Sequence, residues 1–148
     1  MPVRSPYGAH RGYVARGMGR HQGPKSITYK EVDNVWVGWY KWTMARESPV
    51  PKGRDHTVVV VEDLVSALKA SRYYNACAIN GTHISDAILG ELVSQSTDVV
   101  ICFDKDATQK AYDYAERFQV YGNFRTVPLS KDVKNMNSDE LKEWSERL

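Results

Sequence analysis

The sequence predicts an α/β fold: an open, mostly parallel sheet of about four strands, flanked by helices and preceded by a small antiparallel β segment. Three observations predict it. Continuous apolar runs recur at TVVVV (57–61), ACAI (76–79) and DVVICF (98–103), the mark of strands buried on both faces. Segments with apolar residues at helical intervals separate these runs. The loops between them are short, so the strands connect through helices and lie parallel.

The elements follow in order. Residues 1–23 are rich in Gly, Arg and His and read as a basic arm, within which RGYVARGM can form a short strand. Residues 24–56 hold KSITYK and NVWVGWYKW, whose β-branched and aromatic residues predict strands of a small antiparallel meander. ESPVPKGRD closes this segment as a linker or turn. Residues 57–148 form the α/β domain. After TVVVV, DLVSALKASRYY (63–74) spaces Leu64, Ala67 and Leu68 as a helix. NGTHISDAILGELVSQS (80–96) is a loop and then a helix with Ile84, Ile88 and Leu92 on one face. ATQKAYDYAERFQVYG (107–122) is a helix with Ala111, Tyr114, Ala115 and Phe118 inward and Gly122 as C-cap. FRTVPL (124–129) is a fourth strand. Asn137 and Glu140 are spaced as a capping box that opens a last helix running to Leu148.

With 148 residues, 42% hydrophobic and 26% charged, the chain suits one globular domain. The net charge of +2 is unevenly spread. Residues 1–30 carry four Arg, two Lys and no acid, leaving fourteen basic against eighteen acidic groups in the remainder. A basic start on a mildly acidic domain suits a polyanionic partner, and equally a solvated terminus. Cys77 and Cys102 each sit in an apolar run and read as buried hydrophobes. No CxxC pair suggests a zinc site. No apolar stretch is long enough to span a membrane, and the start lacks the apolar core of a signal peptide, so the expected setting is cytoplasmic and off the membrane.

The stretch VVICFDKDATQKA (99–111) carries the chemistry. Asp104 and Asp106 follow a buried strand one residue apart, where like charges repel and raise each other's pKa. Ligands of open α/β sheets bind beyond the carboxyl ends of the strands, and Glu62 ends the first buried strand in the same way. Hard oxygen donors with no His or Cys beside them suit Mg²⁺ or Mn²⁺, completed by substrate phosphates. The competing reading is that DKD caps the following helix.

These residues resemble a known family. VVVVED (58–63), INGTHIS (79–85) and VVICFDKDATQKA, in that order and spacing, are similar to the Toprim domain of primases, topoisomerases and related nucleases. The resemblance covers about residues 57–135 and implies the Toprim fold, with Glu62, Asp104 and Asp106 catalytic and metal-binding. It also implies that Gly81 lets the backbone turn near the site. SKDVKNMNSDE (130–140) resembles a later segment of the family, where Asp132 would add a fourth acid. GYVARGM, GPKSITY and NVWVGWYKW resemble the region before Toprim in phage primase-helicases and bacterial DNA primases, which implies that Arg16 and Lys25 face phosphates. Lys105, Lys131 and Lys134 flank the acidic edge and would bind nucleotide or nucleic acid. Lys105 and Lys110 read equally as a solvated helix face. Trp36, Trp39, Tyr40 and Trp42 can stack on bases or pack within a sheet, and His83 sits in the loop after Gly81.

The resemblance implies metal-dependent nucleotidyl transfer: RNA primer synthesis on a single-stranded DNA template from nucleoside triphosphates. A helicase or a separate zinc-binding subunit would be its partner. The same acids would also serve a Mg/Mn-dependent Toprim nuclease, and a degenerate site would leave a non-catalytic nucleic-acid-binding accessory protein. The chain departs from the primase-type pattern at Asp63, where Gly is usual, and at Ser66, where a further Asp is usual.

Overall fold

The computed structural model describes residues 1–16, 26–31, 35–41 and 56–148. The chain opens with β1 (Pro2–Arg4), β2 (His10–Arg16) and β3 (Ser26–Lys30), which form an antiparallel sheet in that order. Thus the stretch read as a basic arm holds two strands, and its Val3 and Arg11 are buried. Gly12 has φ +138°, and a Cβ there would meet the Tyr29 carbonyl at 2.1 Å, so β2 and β3 can approach only through glycine.

The second sheet has five strands: β4 (Gly38–Tyr40), β5 (Thr57–Val61), β6 (Asn75–Ala78), β7 (Asp98–Ile101) and β8 (Asn123–Thr126), ordered β4-β6-β5-β7-β8. The last four are mutually parallel, as the apolar runs predict. One expectation is corrected. The strand in NVWVGWYKW does not join the small meander; β4 lies antiparallel on β6, pairing Trp39 with Cys77. The reason is burial: Val37 and Trp39 are 0% and 2% exposed and pack into the core of the larger sheet.

Helices α1 (Leu64–Ala70), α2 (Asp86–Gln95), α3 (Thr108–Phe118) and α4 (Ser138–Glu146) cover both faces. Alternation along β5 splits the core. Val58 and Val60 face Ile88, Leu92, Ala115 and Phe118, whereas Val59 and Val61 face Leu64, Ala67, Leu141 and Trp144. The inward face of α3 is Ala111, Tyr114, Ala115 and Phe118, as its spacing predicts. In α1, Ala70 is buried instead of Leu68, which is 47% exposed, because the inward face runs through Leu64, Ser66, Ala67 and Ala70, one turn apart, and leaves Leu68 at its border. Gln119, not Gly122, caps α3. The capping box of α4 forms, with Asn137 Oδ1 accepting from the Glu140 N–H at 2.8 Å and Glu140 Oε1 accepting from the Asn137 N–H at 3.1 Å. Among the described residues no helix is long and apolar enough to cross a membrane.

Candidate active site

Strands β5 and β7 are adjacent and parallel, with Val60 opposite Ile101 and the Cys102 N–H donating to the Val60 carbonyl at 2.8 Å. That register brings Glu62 and Asp104 off the sheet side by side. The Glu62 carboxylate (Oε2) accepts the backbone N–H of Asp104 at 2.5 Å, so the acid ending one strand fixes the start of the DKD turn after the other. Residues 105–107 form a 3-10 turn leading into α3. Asp104 stands at the head of this turn but makes no side-chain capping bond, against the reading of DKD as a mere cap. Its Oδ2 instead accepts from Lys134 Nζ at 3.0 Å. Asp132 Oδ1 accepts the Lys105 N–H at 2.9 Å, which draws the segment after β8 onto the same turn. Lys69 of α1 holds that segment from beneath, its Nζ donating to the carbonyls of Lys134 (2.7 Å) and Met136 (2.9 Å).

The electrostatics follow from this crowding. Burial chiefly raises the Glu62 pKa, the charges of Asp104 and Asp106 add to it, and the Asp104 N–H and Lys134 oppose it. Asp104 is also raised, first by burial and then by Asp132 and Asp63, with Lys134 pulling the other way. The bond to Asp104 raises Lys134 in turn, so its ammonium stays charged.

The donors at this edge are carboxylate oxygens, the type a hard divalent cation takes. Among the described residues no three acidic, His or Cys side chains converge into a ready-made cage. Yet Glu62, Asp104 and Asp132 each use one oxygen in the bonds above, and among the described residues their second oxygens accept nothing. Asp106 is exposed and accepts no hydrogen bond among them. An open rim of carboxylate oxygens suits Mg²⁺ or Mn²⁺, which keep waters and need only one or two protein ligands.

The remaining predicted residues divide. Gly81 has φ +150°, follows Asn80 at φ 55°, and donates its N–H to the Glu62 carbonyl at 3.1 Å, so the turn after β6 does reach the acidic edge. Lys105 is exposed on the turn. Lys131 is committed to Glu140 at 3.1 Å, on the flank of α4 rather than toward the acids. Arg16 ends β2, and Lys25 and Trp42 lie outside the described residues. Trp39 is core, and Trp36 is half-buried beneath Lys30. Sequence reasoning missed the role of Asp63. It is the N-cap of α1, accepting from the N–H (2.8 Å) and hydroxyl (3.0 Å) of Ser66, so the two departures from the primase pattern form one capping pair. It also missed Lys69, whose only sequence signal is a basic residue in the last turn of a helix.

The fold and this edge define an α/β domain with carboxylates gathered where two parallel strands end. The family model described as Toprim-like matches residues 59–139, and the chain belongs to that family. No curated protein matches the chain. Among solved structures, the zinc-binding and RNA polymerase domains of the Aquifex aeolicus primase superpose with a TM-score of 0.72 at 17% identity, over 99% of this chain and 38% of that one. A DNA primase domain from Pseudomonas aeruginosa gives 0.65 at 20% identity, over 91% and 44%. The DnaG primase catalytic domain bound to single-stranded DNA gives 0.67 at 20% identity, over 99% and 51%. The chain therefore shares the primase catalytic fold and spans about half or less of the length of these proteins.

Proposed function

We propose that this protein is a primase-like replication protein, a metal-dependent nucleotidyltransferase that makes RNA primers on single-stranded DNA from nucleoside triphosphates. Residues 57–148 are its Toprim unit, with β4 at the edge of the same sheet and the β1–β3 sheet as the segment before it. Its partner is a helicase or a separate zinc-binding subunit, and its setting is the cytoplasm. The observation that carries the reading is the bond from the Asp104 N–H to Glu62, which joins the ends of two parallel strands into one acidic edge in a Toprim-like chain.

Asp104, Asp106 and Asp132, with Glu62 beside Asp104, would hold the ion through their open oxygens, and Mg²⁺ or Mn²⁺ suits such donors. When bound, the ion neutralises triphosphate charge and stabilises the attacking and leaving oxygens. The rest belongs to the chain. Lys134 opposes the rise in the Asp104 pKa and presents a cation where phosphates arrive. Glu62, half-buried and with its pKa raised, is suited to take the proton of the attacking hydroxyl. Gly81 keeps the second turn close without a side chain, and Lys105, exposed on the turn, adds positive charge for the nucleic acid, as Arg16 and Lys25 would by the family resemblance.

The test is incorporation of labelled ribonucleotides on a single-stranded template in Mg²⁺ or Mn²⁺. Asp104→Ala is expected to lose about 10²-fold or more, the scale of removing one charge-stabilising group. Equal incorporation by wild type and Asp104→Ala overturns the assignment. Metal-dependent cleavage of DNA or RNA without nucleotides, in place of incorporation, makes the protein a nuclease. Binding without either activity, indifferent to Asp104→Ala, makes it a non-catalytic accessory protein.

A further inference from the structure

We propose that the groove between α2 and α3 holds a single nucleic-acid strand leaving the acidic edge, with phosphates on Lys110 and Arg117 and a base against Tyr121. This rests on the nucleic-acid chemistry proposed above and adds a surface to it.

The groove has a volume of about 740 Å³ and is lined by His83, Asp86, Lys110, Tyr114, Arg117 and Tyr121, among others. One end of it lies near the edge. Lys110 lies four residues after Asp106, and its Nζ donates to Thr82 Oγ1 at 2.9 Å, one residue beyond the Gly81 turn that bonds Glu62. Lys110, Tyr114, Arg117 and Tyr121 recur at helical spacing along one side of α3 and its continuation.

The two cations are built in. Lys110 Nζ lies 5.9 Å and the Arg117 guanidinium 4.8 Å from the centre of the Tyr114 ring, and Arg117 is also 5.2 Å from that of Phe118. The Tyr114 hydroxyl is fixed in turn by the Ile84 N–H at 3.1 Å. Among the described residues neither cation has a carboxylate partner, whereas Arg11, Arg125, Lys131 and Lys134 each have one. Asp86 is the one carboxylate in the lining.

At the far end Tyr121 is 59% and Val120 83% exposed, an apolar mouth beside the cations. Cations with an exposed aromatic ring match a strand that offers phosphates and base faces together. The seven steps from Lys110 to Arg117 rise about 10 Å along the helix, far enough apart for the two cations to meet different phosphates of one strand. An acidic peptide would satisfy the cations but leave Tyr121 and the nearness of the acidic edge unused.

The test is fluorescence anisotropy with a labelled oligothymidylate of sixteen nucleotides in about 50–200 mM salt. Lys110→Gln/Arg117→Gln is expected to weaken binding about tenfold and to flatten the log–log salt slope by roughly 1.4, two phosphate contacts on a single strand. Tyr121→Ala is expected to weaken it about fivefold or more with the slope unchanged. All three side chains are exposed, so thermal melts should match wild type. If wild type incorporates ribonucleotides but the double variant binds with wild-type affinity and slope, the groove is overturned and the proposed function stands. Wild type that neither binds the strand nor incorporates nucleotide overturns both. Polyglutamate binding that is lost in the double variant, while oligonucleotide binding is kept, assigns the groove to a protein partner and overturns the proposal.

Discussion

Arg11→Met removes a guanidinium whose side chain is only 10% exposed. Arg11 reaches from β2 across to α2, where Nη1 donates to Glu91 Oε2 at 3.0 Å and Nη2 to the other carboxylate oxygen. Nη1 also donates to the Val37 carbonyl at 3.1 Å, beside β4. The pair thus ties the three-stranded sheet to the five-stranded domain. Its removal leaves Glu91, 14% exposed, as a buried charge with no partner, which costs about 3–5 kcal/mol. At about 2–4 °C per kcal/mol for a chain near 150 residues, the melting temperature should fall by about 6–20 °C. Arg11→Met/Glu91→Leu removes both charges and should recover most of that loss. What remains is the unmet Val37 carbonyl, about 1–3 kcal/mol. Thermal melts and urea titrations of wild type, both single variants and the double variant close a thermodynamic cycle. Single losses under about 1 kcal/mol, or losses that simply add in the double variant, refute the reasoning, because a desolvated pair cannot be cheap to halve.

Three further outcomes are expected. Burial and neighbouring acids raise the folded-state pKa of Glu62, so the folded chain keeps that proton to a higher pH than the unfolded chain, and stability falls as pH rises through that window. Glu62→Gln has no proton to lose; in chelator it should gain stability over wild type at pH 7.5 and none at about pH 3, measured by denaturant titration, and an equal shift at both pH values would contradict this. Lys134→Met should cost stability at pH 8, where Asp104 is ionised, and little at about pH 3, where it is protonated, because the ammonium favours only the charged carboxylate. Asn137→Ala breaks the capping box of α4 and should cost about 1 kcal/mol, or roughly 2–4 °C in a thermal melt.

The parts of the fold legible in the sequence were those set by local pattern. TVVVV reads as a doubly buried strand, and all five residues are buried. The Asn137–Glu140 spacing reads as a capping box, because both bonds lie within one turn. What escaped depended on partners far along the chain. Nothing local in NVWVGWYKW says that Trp39 faces Cys77, 38 positions on, rather than a neighbouring hairpin strand. Arg11 looked like one more charge of a basic terminus, and only the fold brings Glu91 to it. At the site, Glu62 and Asp104 were legible because strand ends in a parallel sheet share one edge. Lys131 and Lys134 were not separable by sequence, since both are lysines of one short segment. The 3-10 turn at Val133–Asn135 decides that Lys134 meets Asp104 while Lys131 meets Glu140.

The acidic edge also shows how the chain bears an arrangement that costs it stability. Glu62 and Asp104 are both pushed toward the protonated form, so apolar or neutral residues there would stabilise the fold better. The chain offsets the cost with one contact per carboxylate: a backbone N–H for Glu62, another for Asp132, and an ammonium for Asp104. Among the described residues each contact leaves the second oxygen without a hydrogen bond. A purely structural ion-pair network would close those oxygens with Arg forks, as Asp98 is closed by Arg125 at 3.2 and 3.0 Å. Asp98 stands at the opposite, amino end of β7, where no ligand is expected. Strand β7 therefore carries a doubly bonded carboxylate at its start and, beyond its end, Asp104 with one oxygen bonded and Asp106 with none among the described residues, an asymmetry that supports the proposed cation site at the carboxyl edge.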